Sequence, residues 1–183
     1  MQTDRLAKHS KRLAGATLAF IIAMLLINTA YWLLPVQVGT YIGGFNLSTL
    51  TETLKVDILQ MPGWQVAGGV TLSSIPLLIL AKGLLALRGL FQAYGQGEYF
   101  SPESAQRLNT VGKSVALWVL ATFILTPVMS VWITQLRPVG ERMLSFNFEP
   151  ADVVALFLAA SVMIVARSLQ NACSLARENQ QFV

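Results

Sequence analysis

The sequence predicts an all-α integral membrane protein, a bundle of four transmembrane helices with both termini in the cytoplasm. Of the 183 residues, 54% are hydrophobic and only 12% are charged, whereas a soluble domain carries about 25% charged residues. The charges also form short groups that are separated by long uncharged stretches. Finally, the 13 Lys/Arg residues are divided unevenly among the predicted loops, which indicates an orientation.

This composition excludes a water-soluble enzyme domain, a disordered chain and a disulfide-stapled secreted module. The only cysteine, Cys173, and the only histidine, His9, lie at opposite ends of the chain. We therefore expect no metal site, no cofactor, no catalytic residue and no enzymatic activity. The basic pI of 9.5 reflects membrane topology and anionic lipid, and nucleic acid is not an expected partner.

Long uncharged stretches locate the spans, because a transmembrane helix needs about 20 mainly apolar residues. The first such stretch begins after Arg12, and its apolar part ends at Pro35. The second and third contain the internal prolines Pro76 and Pro127, which should kink or loosen their helices. The four predicted spans are 13–35, 64–88, 112–136 and 151–172 of a single membrane domain, 1–183.

The fourth span gives the weakest signal. Only 14 uncharged residues separate Asp152 from Arg167, and a helix of that length reaches only about 21 Å. We expect Arg167 to snorkel and the helix to continue past it. The connecting segments are then an outer loop 36–63, an inner loop 89–111, an outer loop 137–150 and a cytoplasmic tail 173–183.

Orientation follows from the basic residues, since Lys and Arg are concentrated on the cytoplasmic side of membrane proteins. Ten of them lie on the termini and the inner connection, and three lie on the other side. Both termini are therefore predicted to be cytoplasmic. The ten are Arg5, Lys8, Lys11, Arg12, Lys82, Arg88, Arg107, Lys113, Arg167 and Arg177; the three are Lys55, Arg137 and Arg142.

The first outer loop is too short and too charged to span the membrane. Ser48 and Thr49 offer a helix N-cap before the apolar residues Leu50, Leu54, Val56, Ile58 and Leu59. We expect this segment to lie along the outer surface and to cover the outer end of the helices. A ligand lid is the alternative, although no residue there points to a particular ligand.

The three tryptophans Trp32, Trp64 and Trp132 fall at the outer ends of their spans. Tryptophan is enriched at membrane–water interfaces, where its amphipathic ring sits at the level of the head groups. We therefore expect these three side chains to form an aromatic belt.

The inner connection contains residues that end one helix and begin the next. Gly95 and Gly97 are expected to end the second helix. Ser101 can cap the third helix, Pro102 suits its first position, and Glu103 lies in its first turn, where the helix dipole favours an anion. A purely structural role explains these residues without further assumptions.

The same stretch resembles a known family. The pattern F-x-x-Y-x-x-G-E-x-F-S-P-E-S-A-x-R-L-x-x-x-G, from Phe91 to Gly112, is similar to the inner loop of the bacterial four-helix membrane proteins called domain of unknown function 2975. The tail, with Arg177-Glu178-Asn179 and the final Val183, resembles the ending of that family. The resemblance implies a bacterial inner-membrane protein, sometimes encoded beside a small helix-turn-helix regulator, and no known reaction.

The inner loop and the tail should emerge at the same membrane face and form a surface for a partner. We expect Arg107 to point toward Glu178, and Arg177 toward Glu98 or Glu103. The leading hypothesis is a non-enzymatic regulatory or accessory subunit that contacts a cytoplasmic protein, a membrane protein or a second copy. The candidate partner surface is Gly97, Glu98, Phe100, Ser101, Glu103, Arg107, Arg177 and Glu178.

Polar residues within the spans support an alternative, a small transporter or permeation component. The candidate polar path is Asn28, Ser73, Ser74, Thr122, Thr126, Ser130 and Thr134. The last four recur every four residues and so share one face of the third helix. Helix packing explains them more simply, because hydroxyls bond back to their own helix. No charged residue or histidine at a span centre is present to couple transport to ions.

Overall fold

The computed structural model describes residues 2–34, 51, 54, 56–98, 101–138 and 140–181. Within these ranges, side chains are described from residue 8 to residue 175. Four long α-helices account for most of this chain: α1 (Gln2–Leu33), α2 (Gly63–Gly95), α3 (Pro102–Thr134) and α4 (Pro150–Gln181). A short 3₁₀ helix, Ile58–Gln60, precedes α2. The described residues include no strand, so the predicted all-α class is confirmed.

Each of the four helices is long and apolar enough to cross a membrane. The spanning candidates within them are Lys8–Leu33, Gly63–Gly95, Pro102–Thr134 and Pro150–Leu175, with mean hydropathies of 1.9 to 2.1. The fourth, which had the weakest signal in the sequence, is therefore confirmed as a spanning-capable helix. Two of these helices are longer than the predicted spans: α2 continues to Gly95, and α3 already begins at Pro102.

The internal prolines do not interrupt their helices. Pro76 lies inside α2 and Pro127 inside α3. A proline leaves the carbonyl of residue i−4 without its helical donor. Hydroxyl groups supply additional bonds close by, since Ser74 Oγ donates to the Val70 carbonyl at 2.7 Å and Ser130 Oγ donates to the Pro127 carbonyl at 2.8 Å.

The chain divides into two compact units. Unit 1 consists of Met1–Ile21, Ile79–Val119 and Pro150–Val183, and unit 2 consists of Ile22–Leu78 and Leu120–Glu149. Helices α1, α2 and α3 contribute residues to both units, whereas α4 belongs to unit 1.

Small residues allow the helices of unit 1 to approach closely. A β-carbon on Gly83 of α2 would lie 2.7 Å from Ser114 Cβ of α3. A β-carbon on Gly112 of α3 would lie 2.9 Å from the Ala159 carbonyl oxygen of α4. Without a hydrophobic drive between helices in lipid, such close backbone packing is a main source of association.

Unit 2 has an apolar core built from α1, α3 and the residues before α2. The buried cluster consists of Tyr31, Trp32, Leu54, Ile58, Met129 and Ile133. Arg137 Nη2 donates to the Leu54 carbonyl at 2.9 Å, and the hydroxyls of Tyr31 and Thr51 are 2.8 Å apart. Leu54 and Ile58 are thus part of this core, while Ser48, Thr49 and Leu50 lie outside the described residues.

Candidate functional site

The turn between α2 and α3, residues 96–101 in unit 1, begins with a Schellman C-cap. Gly97 has a φ of 89°, a left-handed conformation that glycine adopts without a steric penalty. The Glu98 N–H donates to the Ala93 carbonyl at 3.0 Å, and the Gly97 N–H donates to the Tyr94 carbonyl at 3.2 Å. These two bonds satisfy carbonyls that the helix end would otherwise leave unpaired.

Ser101 caps the start of α3, as the sequence predicted. Its Oγ accepts the Ser104 N–H at 3.1 Å and donates to Ser104 Oγ at 3.0 Å. Ser104 Oγ in turn donates to the Glu98 carbonyl at 3.4 Å, and Ser104 is fully buried. The Ser104 hydroxyl therefore connects Glu98, after the end of α2, to Ser101 at the start of α3.

Two of the predicted surface carboxylates are free to meet a partner. The side chains of Glu98 and Glu103 are exposed, and within the described chain neither forms a hydrogen bond or an ion pair. Arg107 instead donates from Nη1 to the Gly89 carbonyl of α2. Its expected partner, the side chain of Glu178, lies outside the described residues, as do the side chain of Arg177 and all of Phe100.

Part of the predicted polar path lies where α1 meets α2 in unit 2. Asn28 Nδ2 donates to Ser74 Oγ at 3.2 Å, and Trp32 Nε1 donates to Ser73 Oγ at 3.1 Å. Both serine hydroxyls donate within α2, to the Val70 carbonyl. Asn28 and Ser73 are buried, so these residues join two helices through satisfied hydrogen bonds.

The other part is the hydroxyl stripe of α3, also in unit 2. Thr126 Oγ1 donates to the Thr122 carbonyl at 2.7 Å, and Thr134 Oγ1 donates to the Ser130 carbonyl at 2.8 Å. The Thr122 hydroxyl is buried without a hydrogen-bond partner. No hydrogen bond in the described chain joins this stripe to Asn28, Ser73 or Ser74. The residues of the candidate polar path therefore form two groups.

Ser130 and Thr134 also hold the segment that follows α3. The Ser145 N–H donates to Ser130 Oγ at 3.0 Å, and the Met143 N–H contacts Thr134 Oγ1 at 3.4 Å. Farther along, the Phe148 ring packs edge-to-face on Phe123, with centroids 5.7 Å apart. The chain therefore turns back after α3 and runs antiparallel beside it.

The spacing of these contacts shows that the segment, residues 143–149, is extended. From Thr134 back to Phe123, α3 covers 11 residues, or about 16 Å at 1.5 Å per residue. The matching contacts on the segment, Met143 and Phe148, are five residues apart, or about 16 Å at 3.3 Å per residue. The segment thus advances along α3 with the rise of a β-strand.

Removing the Ser130 hydroxyl should destabilise the protein more than removing that of Thr126. Ser130→Ala leaves the Ser145 N–H unpaired, which costs about 1–3 kcal/mol. Thr126→Ala removes a bond that the hydroxyl makes back to its own helix and leaves no N–H of another segment unpaired, so it should cost less. Thermal unfolding of both variants in one detergent measures the difference. Equal stability of the two variants would contradict the docking of the segment on Ser130.

In unit 2, a tryptophan ring packs on each of two adjacent glycines of α2, Gly68 and Gly69. Trp32 of α1 lies directly over Gly69, and Trp132 of α3 lies directly over Gly68. The predicted belt is therefore wrong for Trp32, which is only 2% exposed; Trp64, at 53%, keeps the exposure expected of a belt residue. Because Gly69 has no side chain, the Trp32 ring packs directly on α2, where Ser73 Oγ accepts its indole N–H.

Gln65 links the start of α2 to the end of α3. Its Nε2 donates to the carbonyls of Trp132 at 2.8 Å and Ile133 at 3.0 Å. In return, Trp132 Nε1 donates to the Gln65 carbonyl at 2.9 Å. Gln65 is 2% exposed and so serves as a buried cap for carbonyls that the end of α3 leaves without a helical partner.

An apolar cavity of about 380 Å³ lies in unit 2 between the end of α1 and the first turns of α2. Its wall is almost entirely hydrocarbon, and the one polar atom of Trp32 is already paired with Ser73. The lining residues are Trp32, Leu33, Ile58, Leu59, Met61, Gly63, Val66, Ala67 and Val70. Among the described residues, no group of three or more His, Cys, Asp or Glu is placed to hold a metal ion.

Residues 13–183 match the family described as Protein of unknown function (DUF2975). The chain belongs to this family. No curated protein and no solved structure matches the chain. The resemblance seen in the sequence is thus confirmed, and the family carries no assigned function.

In this DUF2975 member, the motif from Phe91 to Gly112 has a structural role in unit 1 at several positions. Gly97 and Ser101 form the two caps of the 96–101 turn. Arg107 fixes α3 to the Gly89 carbonyl, and Gly112 provides the close approach to α4. The exposed carboxylates of Glu98 and Glu103 are motif residues that these contacts do not use.

Proposed function

We propose that this DUF2975 protein is a non-enzymatic regulatory or accessory subunit that acts through protein contacts at the 96–101 turn. The observation that carries this proposal is a pair of capped helix ends, which present the Glu98 and Glu103 carboxylates without bonding to them. Free charges on capped helix ends favour docking, because little conformational entropy is lost when a preorganised surface binds.

The hydrogen bonding of the span residues supports this proposal over transport. Ser74 and Ser130 each donate to a carbonyl of their own helix and accept from a neighbouring element, so each hydroxyl keeps only one lone pair for a passing solute. A permeation role remains the second candidate. It is favoured by two buried polar atoms that lack a partner, the Thr122 hydroxyl and Gln135 Nε2.

We further propose a bacterial inner-membrane location with both termini cytoplasmic. Within the described side chains, unit 1 holds eight Lys/Arg residues: Lys8, Lys11, Arg12, Lys82, Arg88, Arg107, Lys113 and Arg167. Unit 2 holds Arg137 and Arg142. This division supports a cytoplasmic face for unit 1 by the positive-inside rule. The family resemblance supports the bacterial membrane.

Reporter fusions test the orientation. A phosphatase that is active only outside the cytoplasm should be silent when fused after Val183 and active when inserted at Gly140. Gly140 suits an insertion because it is exposed, and no described atom beyond its chain neighbours lies within 4 Å of its β-carbon position. A cytoplasmic reporter at the same two sites should give the opposite pattern. Active phosphatase at Val183 would overturn the proposed orientation.

Charge reversal tests the partner surface. The double variant Glu98→Lys/Glu103→Lys should retain membrane insertion, because both side chains are exposed and unbonded. It should lose at most about 1 kcal/mol of stability, because a lysine replaces Glu103 in the first turn of α3. It should lose a partner that co-purifies with the wild-type protein from native membranes, since an attractive charge contact becomes repulsive. Quantitative mass spectrometry of tagged protein measures the partner-to-bait ratio.

The matched control is Glu141→Lys, an exposed carboxylate in the connection between α3 and α4. This variant should capture the partner at the wild-type ratio. Capture that persists in the Glu98→Lys/Glu103→Lys variant would exclude the 96–101 turn as the docking surface. Capture lost equally in both variants would show that the partner responds to net charge and not to this turn.

A further inference from the structure

The 143–149 segment has one edge bonded to α3 and one edge open. In an extended chain, the N–H groups of successive residues point to opposite sides. The Met143 and Ser145 N–H groups face the α3 hydroxyls. The N–H groups of Leu144, Phe146 and Phe148 therefore face away from α3. Within the described part of the chain, none of these three donors forms a hydrogen bond.

The side chains of the same three residues are apolar and exposed. Leu144, Phe146 and Phe148 are 61%, 64% and 51% exposed. Ile124, Val128 and Val131 of α3 are exposed as well. An exposed apolar strand edge with unpaired N–H groups is a template for pairing with another chain.

We propose that an extended segment of a different membrane protein pairs with this edge by β-strand addition. The three N–H donors lie at every second residue, about 6.6 Å apart. The carbonyls along one edge of a partner β-strand have the same spacing, so a single strand can accept from all three donors. Neither acyl chains nor scattered head groups provide such a row. The exposed side chains of Leu144, Phe146 and Phe148 require alternating apolar residues on the partner strand.

A second copy of this chain does not fit the same edge. Antiparallel pairing of two identical segments requires a two-fold axis perpendicular to the strands. Because the segment runs along α3, that axis would give the two α3 helices opposite directions across the membrane. Parallel pairing by a two-fold axis would bring N–H groups of the same residues to the same height, where they have no facing acceptor. The partner strand therefore has a different sequence.

Photo-crosslinking in native membranes tests the proposal on the full chain. A benzoylphenylalanine at position 146, replacing Phe146, should give an adduct heavier than the 20.0 kDa chain. Sequencing of the crosslinked peptide should show one segment of one protein with alternating apolar residues. The same probe replacing Leu144 or Phe148 should shift the attachment point by two residues along that segment. The control site is Phe157 of α4, which is also an exposed Phe but has a helical backbone.

A proline variant tests the backbone bond itself. Phe146→Pro removes one open N–H and should abolish the adduct formed by a probe at position 148, whereas Phe146→Leu should retain it. Helical circular dichroism of both variants establishes that the helices are intact. The variant Glu98→Lys/Glu103→Lys should leave all these adducts unchanged, because the 96–101 turn belongs to unit 1 and the segment belongs to unit 2.

Several results would overturn the proposal. Adducts to lipid only would show that the edge faces the bilayer. A species of twice the monomer mass would assign the edge to a second copy. A crosslink within one chain would assign it to another part of this protein. Protein adducts at Phe157 equal to those at position 146 would indicate random collision.

Discussion

Replacing Gly69 by alanine is expected to lower the free energy of unfolding by about 1–3 kcal/mol, and Gly68→Ala should have a similar effect. A β-carbon at Gly69 would overlap the six-membered ring of Trp32, and one at Gly68 would overlap the ring of Trp132. Trp32 is almost fully buried and bonded to Ser73. Its ring therefore cannot move aside without losing packing and a hydrogen bond.

The control for this prediction is Gly15→Ala in α1. No atom outside the helix lies within 4 Å of a β-carbon built at Gly15, so alanine should be neutral or stabilising there because it favours helix over glycine by about 1 kcal/mol. Thermal unfolding in detergent, followed by tryptophan fluorescence, compares the variants. If Gly69→Ala were as stable as Gly15→Ala, Trp32 would not lie against α2 at this point.

The burial of Trp32 does not follow from the sequence of its own span. Its position at the end of a span indicated a belt residue, but its environment depends on Gly69 and Ser73, 37 and 41 residues away. The Gly68-Gly69 pair was the available signal. Glycine within a helix is costly, so two in succession indicate that something large approaches the backbone.

The helices and the turn were predictable because their causes are local. An uncharged stretch of sufficient length identifies a spanning helix wherever its neighbours are. Gly97 ends α2 and Ser101 begins α3 through bonds to residues no more than five positions away. Arg107 differs, since its contact with the Gly89 carbonyl joins two helices and depends on how α2 and α3 pack.

The extended segment after α3 was interpreted only as an outer loop, although its sequence carried a second signal. Leu144, Phe146 and Phe148 alternate with Ser145 and Asn147, a period of two that is typical of a strand. The sequence alone predicts either helix packing or a polar path for the α3 hydroxyl stripe and gives no sign that it binds this segment. Only the fold shows that Ser130 accepts a backbone N–H of the segment.

The polar residues of unit 2 share one pattern of bonding. Ser73, Ser74 and Ser130 each donate to a carbonyl of their own helix and accept from a neighbouring element. A hydroxyl has one hydrogen and two lone pairs, so this arrangement uses its donor and leaves one lone pair. The pattern explains how polar groups can connect spanning segments in an apolar environment. A polar path through the same residues remains a prediction.

Gln65→Met should destabilise the protein by about 2 kcal/mol, because it removes two hydrogen bonds to α3. Methionine has a similar shape but no donor, so the Trp132 and Ile133 carbonyls each lose a bond from Nε2, and a net loss of about 1 kcal/mol is typical for each bond. The Trp132 indole keeps its bond to the Gln65 main chain. The loss can therefore be assigned to the side-chain amide.

Gln135→Met provides the matched comparison, because the Gln135 Nε2 atom is buried without a partner. Removing an unsatisfied buried amide relieves a desolvation cost, so this variant should equal or exceed the wild-type stability. The two substitutions are chemically identical and lie near the same end of α3, and thermal unfolding in one detergent compares them directly. A similar loss in both variants would mean that the amide stabilises at either position whether or not it is paired, and that the Gln65 bonds to α3 contribute little. Opposite signs would show that pairing, and not polarity, determines whether a buried amide stabilises this protein.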